Sequence, residues 1–205
     1  MSQKGDLVYG FGVNDADYAV YVTEKSSAGS GRRIKWYCPF YKTWNGMIER
    51  GYSEKLKEKY VSYRDVRVCE DWRYFSNFKA WMEKQDWKGK QLDKDLLVKG
   101  NKIYSPETCV FIEARVNSFI TENRVNNGNF PVGVHYHQNK YVAVCGDPYE
   151  KAGKKYLGRF LYVEDAAEAW RAHKESVAIR LAEEQTDEKI IKALVERYKK
   201  ESKDE

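Results

Sequence analysis

Residues 130–160 contain three short runs in which apolar and polar side chains alternate: FPVGVHYH, KYVAVCG and KKYLGRFL. They are separated by Gln-Asn and by Asp-Pro-Tyr-Glu-Lys-Ala-Gly. A period of two places every second side chain on one face of a strand. Turn-forming residues between the runs fold them back on one another. The next segment, VEDAAEAWRAHKESVAIRLAEE, changes period: Ala166, Ala167, Trp170 and Val177 make a helical stripe. The small alanines allow a close approach to a sheet. Residues 130–184 are therefore predicted to be a three-stranded antiparallel sheet covered on one face by one helix. That leaves the second face of the sheet with no partner from these elements.

The tail, residues 186–205, is a further amphipathic helix with Ile190, Ile191, Leu194 and Tyr198 on one side. It packs on the body of the chain or pairs with a second copy to give a homodimer; packing within the chain is the favoured expectation.

Upstream, residues 6–23 are β-rich and end at the Ser/Gly stretch SSAGSG. RRIKWYC can pair back on them, so residues 1–38 read as a β-hairpin region. Pro39 opens a helix in which Phe40, Trp44, Met47 and Ile48 share a face, and Gly51 closes it. Lys55 to Lys59 reads as a solvated charged turn. An alternating strand runs through Val66 and Val68. A second helix comes next, with Phe75, Phe78, Trp81 and Met82 on one side. Helical spacing assigns these aromatics to a core. Asn117 to Asn129 is polar and Asn-rich and reads as a linker. The fold class is α+β, with regions at 1–38, 39–122, 130–184 and 186–205.

The net charge of +5 permits a polyanion partner without requiring one. Its distribution is uneven. Arg32 to Arg67 holds ten Lys/Arg against four Asp/Glu, whereas Phe130 onward is balanced. The start of the chain lacks the apolar run of a signal peptide, and no stretch approaches membrane-spanning length. Cys38, Cys69, Cys109 and Cys145 are far apart, with no CxxC or Cys/His pair at zinc spacing. These features point to a cytoplasmic protein with reduced thiols, no zinc and no membrane partner.

Gly133-Val134, Tyr141-Val142-Ala143, Tyr156-Leu157-Gly158-Arg159-Phe160 and Glu164-Asp165-Ala166-Ala167-Glu168-Ala169-Trp170 together resemble the ethylene-response-factor type of DNA-binding domain. The resemblance covers about residues 130–175. It implies that the sheet face away from the helix enters the major groove of double-stranded DNA. His135, His137, Val142, Val144 and Tyr156 would point outward there, with Lys140 and Lys154 at the edges. The chain departs from the pattern at His135 and His137, where arginines are expected, and at Val144, where a glutamate is expected. The base readout of that family therefore does not carry over.

A second set of residues comprises Trp44, Met47, Arg50 and Tyr52, then Val68-Cys69 and Trp72, then Leu92-Asp93 and Tyr104-Ser105-Pro106-Glu107-Thr108-Cys109. Their order and spacing resemble HNH-type endonucleases of phages and mobile elements. The opening Gly12-Val13-Asn14-Asp15-Ala16-Asp17-Tyr18 is similar to phage relatives as well. The resemblance implies a ββα site in which a hairpin and a helix hold one Mg²⁺ or Mn²⁺ ion. Asp93 stands at the position of the metal-binding acid, with Asp95 nearby and Thr108 in place of the helix Asn. Ser105 would cap the helix and Pro106 would suit its first turn. Lys94 stands where the catalytic histidine would be, and Gly51 replaces a cysteine.

These departures leave two readings. In one, Asp93, Asp95 and Thr108 bind the metal through oxygen ligands. Lys94 then stabilises charge, and water or Tyr104 completes the chemistry. In the other, the site is degenerate and the shell only grips DNA, with Lys94, Lys99 and Lys102 on phosphates. The degenerate, DNA-binding reading is preferred, with an active endonuclease next to it. Arg32, Arg33, Arg50, Arg64 and Arg67 would add sequence-independent affinity. A third class is a phage protein that binds a host defence or transcription protein in the host bacterial cytoplasm.

Overall fold

The computed structural model describes residues 7–25, 29, 31–121 and 130–199. Of the Ser/Gly stretch only Gly29 and Gly31 fall within them. Most of the Asn-rich linker and the end of the tail lie outside. The class is α+β, as expected from the patterning. Contacts divide the chain into two units, residues 1–111 and 112–205.

In the first unit, β1 (Tyr21–Lys25) and β2 (Arg32–Tyr37) form an antiparallel ribbon with a bulge at Val22/Thr23. The β-rich segment before it is shorter than expected. Residues 7–13 make a tight turn, with Tyr9 and Gly10 at positive φ, and Val13 bridges to Tyr74. α1 (Pro39–Tyr52) begins at the proline, where a missing N–H costs nothing. It runs one residue past Gly51, which is buried against Val68 inside the helix rather than closing it. The Lys55–Lys59 segment is not a turn. It is a short helix, α2 (Glu54–Lys59), started by Ser53, whose hydroxyl accepts from Leu56 N at 3.4 Å.

β3 (Arg67–Val68) leads into α3 (Phe75–Met82). No neighbour in sequence caps α3. Asp15, sixty-one residues earlier, does so: its carboxylate accepts from Ser76 N at 2.8 Å. Trp44, Met47, Ile48, Trp72, Phe75 and Phe78 fill the core, and Trp44 Nε1 donates to Trp72 O at 2.8 Å. The aromatic helical faces are thus core, as their spacing predicted.

β4 (Gln91–Asp93), β5 (Ile103–Tyr104) and β6 (Val110–Ile112) do not form the hairpin-then-helix arrangement expected of residues 91–112. β4 pairs with β6, and β5 pairs parallel with β3. No helix opens at Ser105. Residues 105–109 make one turn, in which Thr108 N and Cys109 N both donate to Ser105 O. The reason lies in the adjoining residues: Cys109, Val110, Phe111 and Ile112 are consecutively buried, two of them β-branched. A run buried on both faces favours a strand over one stripe of a helix.

In the second unit, α4 (Ala114–Ile120) buries Val116, Phe119 and Ile120. β7 (Val134–His137), β8 (Lys140–Gly146) and β9 (Lys154–Phe160) form the antiparallel sheet in that order. Gln138 and Asn139, both at positive φ, make the two-residue turn that matches strand twist. α5 (Val163–Glu183) lies on one face through Ala166, which packs with Val134 and Ala143. α6 (Glu188–Tyr198) packs on α5 within the chain. Lys174, buried in α5, donates to Phe119 O at 2.6 Å and approaches the rings of Phe119, Trp170 and Tyr198. No helix among the described residues is long and apolar enough to cross a membrane.

Candidate nucleic-acid interface and the 91–112 segment

The sheet of the second unit assigns its two faces by register. Val134 pairs with Ala143, and both pack with Ala166 of α5; Ala143 pairs in turn with Gly158. Alternation then sends the intervening residues to the other face. There His135 pairs with Val142, and Val142 with Arg159; His137 pairs with Lys140; Val144 pairs with Tyr156; Gly146 pairs with Lys154. All the residues expected to point outward from this sheet share that face. His137, Lys140, Lys154, Tyr156 and Arg159 are exposed on it, while Val142, flanked on both sides, is buried.

Arg159 belongs to the same face, although alternation alone did not single it out. Its Nη2 donates to His137 O at 3.2 Å, Gln138 O at 3.3 Å and Gln138 Oε1 at 3.1 Å. One guanidinium nitrogen thus ties β9 to the β7–β8 turn. The alternation Tyr156, Arg159 around a bulge hid it, because the register shifts between Ala143 and Val144 and a shift of one moves side chains to the opposite face.

Asp93, at the end of β4, is buried. Its Oδ1 accepts from Asp95 N at 2.8 Å and Leu96 N at 2.6 Å. Burial pushes its carboxyl above the ordinary range, and these two backbone N–H groups oppose the shift. Lys94 is also buried. Its Nζ donates to Asp95 Oδ2 at 2.6 Å and to Asn101 O at 3.0 Å. Asn101 clamps the loop by donating to Lys94 O and Ile103 O and accepting from Ile103 N. The Thr108 hydroxyl donates to Ile103 O at 2.9 Å. Tyr104 lies inside, with Arg50 and Lys94 both over its ring, and burial raises its phenol far above the ordinary value.

Each of the three expected ligand side chains makes a contact within the chain. One Asp93 oxygen holds a backbone turn. Asp95 faces an ammonium, so the chain's own Lys94 supplies the positive charge a metal would bring. Thr108 is turned to a backbone carbonyl. Mg²⁺ or Mn²⁺ binding asks for oxygen ligands converging on one point; here Asp93 Oδ1, Asp95 Oδ2 and the Thr108 hydroxyl point to different partners within the chain. Lys94 is likewise directed inward rather than toward a phosphate.

The remaining basic residues fall into separate groups. Arg67 and Lys102 meet at the β3–β5 pair, where Arg67 N donates to Lys102 O and Lys102 Nζ reaches Ser62 O at 3.4 Å. Arg64, Arg67, Lys99 and Lys102 are exposed. Arg32 and Arg33 stand on the β1–β2 ribbon, where Arg32 Nε donates to Thr23 Oγ1 and Arg33 to Glu24. Arg50 is part of the Tyr104 environment, not of an exposed basic patch. Compared with family models, with curated proteins and with solved structures, the chain matches none of them.

Proposed function

We propose that this chain is a double-stranded DNA-binding protein of the phage or mobile-element kind. In this reading the open face of the β7–β9 sheet meets the duplex and the 91–112 segment acts as scaffold. The observation that carries it is that face itself. It gathers His135, His137, Lys140, Lys154, Tyr156 and Arg159 opposite the helix-covered side, and carries no carboxylate in those paired positions. The major groove is wide enough for strands to reach base edges. Lysine and arginine at the edges supply phosphate contacts, and the central residues supply base contacts.

Exposed Arg64, Arg67, Lys99 and Lys102 in the first unit add affinity that does not depend on sequence. The committed hydrogen bonds of Asp93, Lys94, Asp95 and Thr108 support a structural role over metal-dependent cleavage. The test is a binding titration on duplex DNA across a salt series. Affinity that falls steeply with salt, and falls further in a Lys140→Ala/Lys154→Ala variant, is the expected outcome. Salt-insensitive or undetectable duplex binding would leave the host-protein reading in its place.

A further inference from the structure

We propose that the β1–β2 ribbon is a separate duplex-binding element that inserts into a DNA groove, an inference that rests on the DNA-binding reading above. The ribbon packs on the core at its Tyr21–Tyr37 end, and β2 is open beyond it. Arg32, Arg33, Ile34, Lys35 and Trp36 are all exposed in sequence, and only Tyr37, next to α1, is partly covered. Val22, Ile34 and Trp36 are 44%, 56% and 46% exposed. A two-stranded ribbon is marginal in water by itself, so three large apolar side chains in solvent call for a covering surface.

Register divides the charges. Lys25 pairs with Arg32 on the face of Thr23 and Ile34, and Arg32 Nε donates to Thr23 Oγ1 at 3.0 Å. Glu24 pairs with Arg33 on the face of Val22 and Trp36. Arg33 and Lys35 both reach the Glu24 carboxylate, at 2.7 and 3.7 Å. The ribbon therefore carries cations on both faces, Lys25 and Arg32 on one, Arg33 and Lys35 on the other. Glu24 is the single carboxylate among the described ribbon positions. Ion pairs this exposed contribute little, so a phosphate can displace Glu24 at little cost.

A flat acidic protein surface would meet one of these faces and leave the other in solvent. A groove walled by phosphates on both sides meets both. The width agrees: paired strands lie about 4.8 Å apart, and the major groove, about 12 Å wide, admits a two-stranded ribbon. The four cations would then meet the flanking phosphates, with Ile34 and Trp36 lying against the two groove walls between them.

The experiment uses the full chain on a duplex of about 30 bp, three helical turns, over a salt series. It compares wild type with Arg32→Ala/Arg33→Ala/Lys35→Ala, whose fold is checked by circular dichroism. Each phosphate contact contributes a slope of about 0.9 in log affinity against log salt on B-DNA. The expected result is a slope smaller by about 2–3 in the triple variant, and loss of part of the wild-type hydroxyl-radical footprint. A Trp36→Phe variant should also lose a duplex-dependent change in tryptophan fluorescence. If wild type binds duplex and the triple variant keeps its slope and footprint, the ribbon proposal is overturned while the sheet reading stands. An equal loss of slope on single-stranded DNA overturns the groove assignment. If wild type binds no duplex, the sheet reading falls and this proposal with it.

Discussion

Gly133 meets the indole of Trp170 so closely that a Cβ on the glycine would lie 2.1 Å from the ring, and 2.8 Å from Val144 O. Its φ of +78° is also one that other residues rarely adopt. The contact joins the loop entering β7 to the middle of α5 and seats the helix on its sheet face. Gly133→Ala should therefore destabilise the second unit strongly, by about 1–3 kcal/mol from the backbone alone and more from the overlap. Urea denaturation of the variant should show an early transition, and a wild-type midpoint would contradict this packing.

Asp93 gives a prediction that separates structure from metal binding. Asp93→Asn keeps an oxygen for the N–H groups of Asp95 and Leu96 and removes the buried charge. It should hold or raise stability at neutral pH. Asp93→Ala should cost about 1–3 kcal/mol, because the N–H of buried Leu96 loses its acceptor.

The pH dependence has a definite sign. The native carboxyl titrates above its unfolded value, so the folded state binds the proton more tightly. That stabilisation is fully present below the unfolded pKa and is lost as pH rises through the raised native one. Asp93→Asn should lack this decline, so its advantage over wild type should grow from acidic to neutral pH. Urea midpoints at several pH values would show it; parallel curves would contradict it.

Supercoiled plasmid incubated with the protein and Mg²⁺ or Mn²⁺ should remain un-nicked. Lys94 already occupies the cation's place beside Asp95, and Asp93 Oδ1 holds a backbone turn. Nicking that disappears in Asp93→Ala, with the variant still folded, would restore the endonuclease reading.

Thiol labelling checks the core. Burial pushes Cys109 up to about 12 and Cys145 up to about 11. Both are enclosed, whereas Cys69 is only partly covered. Cys69 should react first with iodoacetamide near pH 8, and Cys109 and Cys145 should react only on unfolding. Mass-spectrometric mapping that finds Cys109 among the first sites would contradict the β4–β6 packing.

Periodicity made much of the second unit legible. Two-residue alternation and the Ala166/Trp170 stripe suffice to place three strands under one helix, because each element has one face to bury. The first unit was harder to read. Which strand β5 pairs with depends on a contact to Arg67, thirty-six positions away in register with Ile103, and local sequence carries no signal for such pairing. Ser-Pro-Glu-Thr looks like a helix start, yet the buried run Cys109–Ile112 prevails over it. The inward turn of Lys94 was also hidden, since a lysine between two aspartates reads as a surface charge until Asn101 is seen closing the loop over it.

The open face of the β7–β9 sheet is proposed to read double-stranded DNA. The most direct measurement is an anisotropy titration at fixed salt with two duplexes, one selected by the protein from a random pool and one scrambled. Wild type should prefer the selected duplex. His135→Ala/His137→Ala should lose about tenfold or more of that preference, as expected for base contacts of about 1–3 kcal/mol each, while binding the scrambled duplex nearly as before. Failure of wild type to bind either duplex, or an undiminished preference in the variant, would contradict the account.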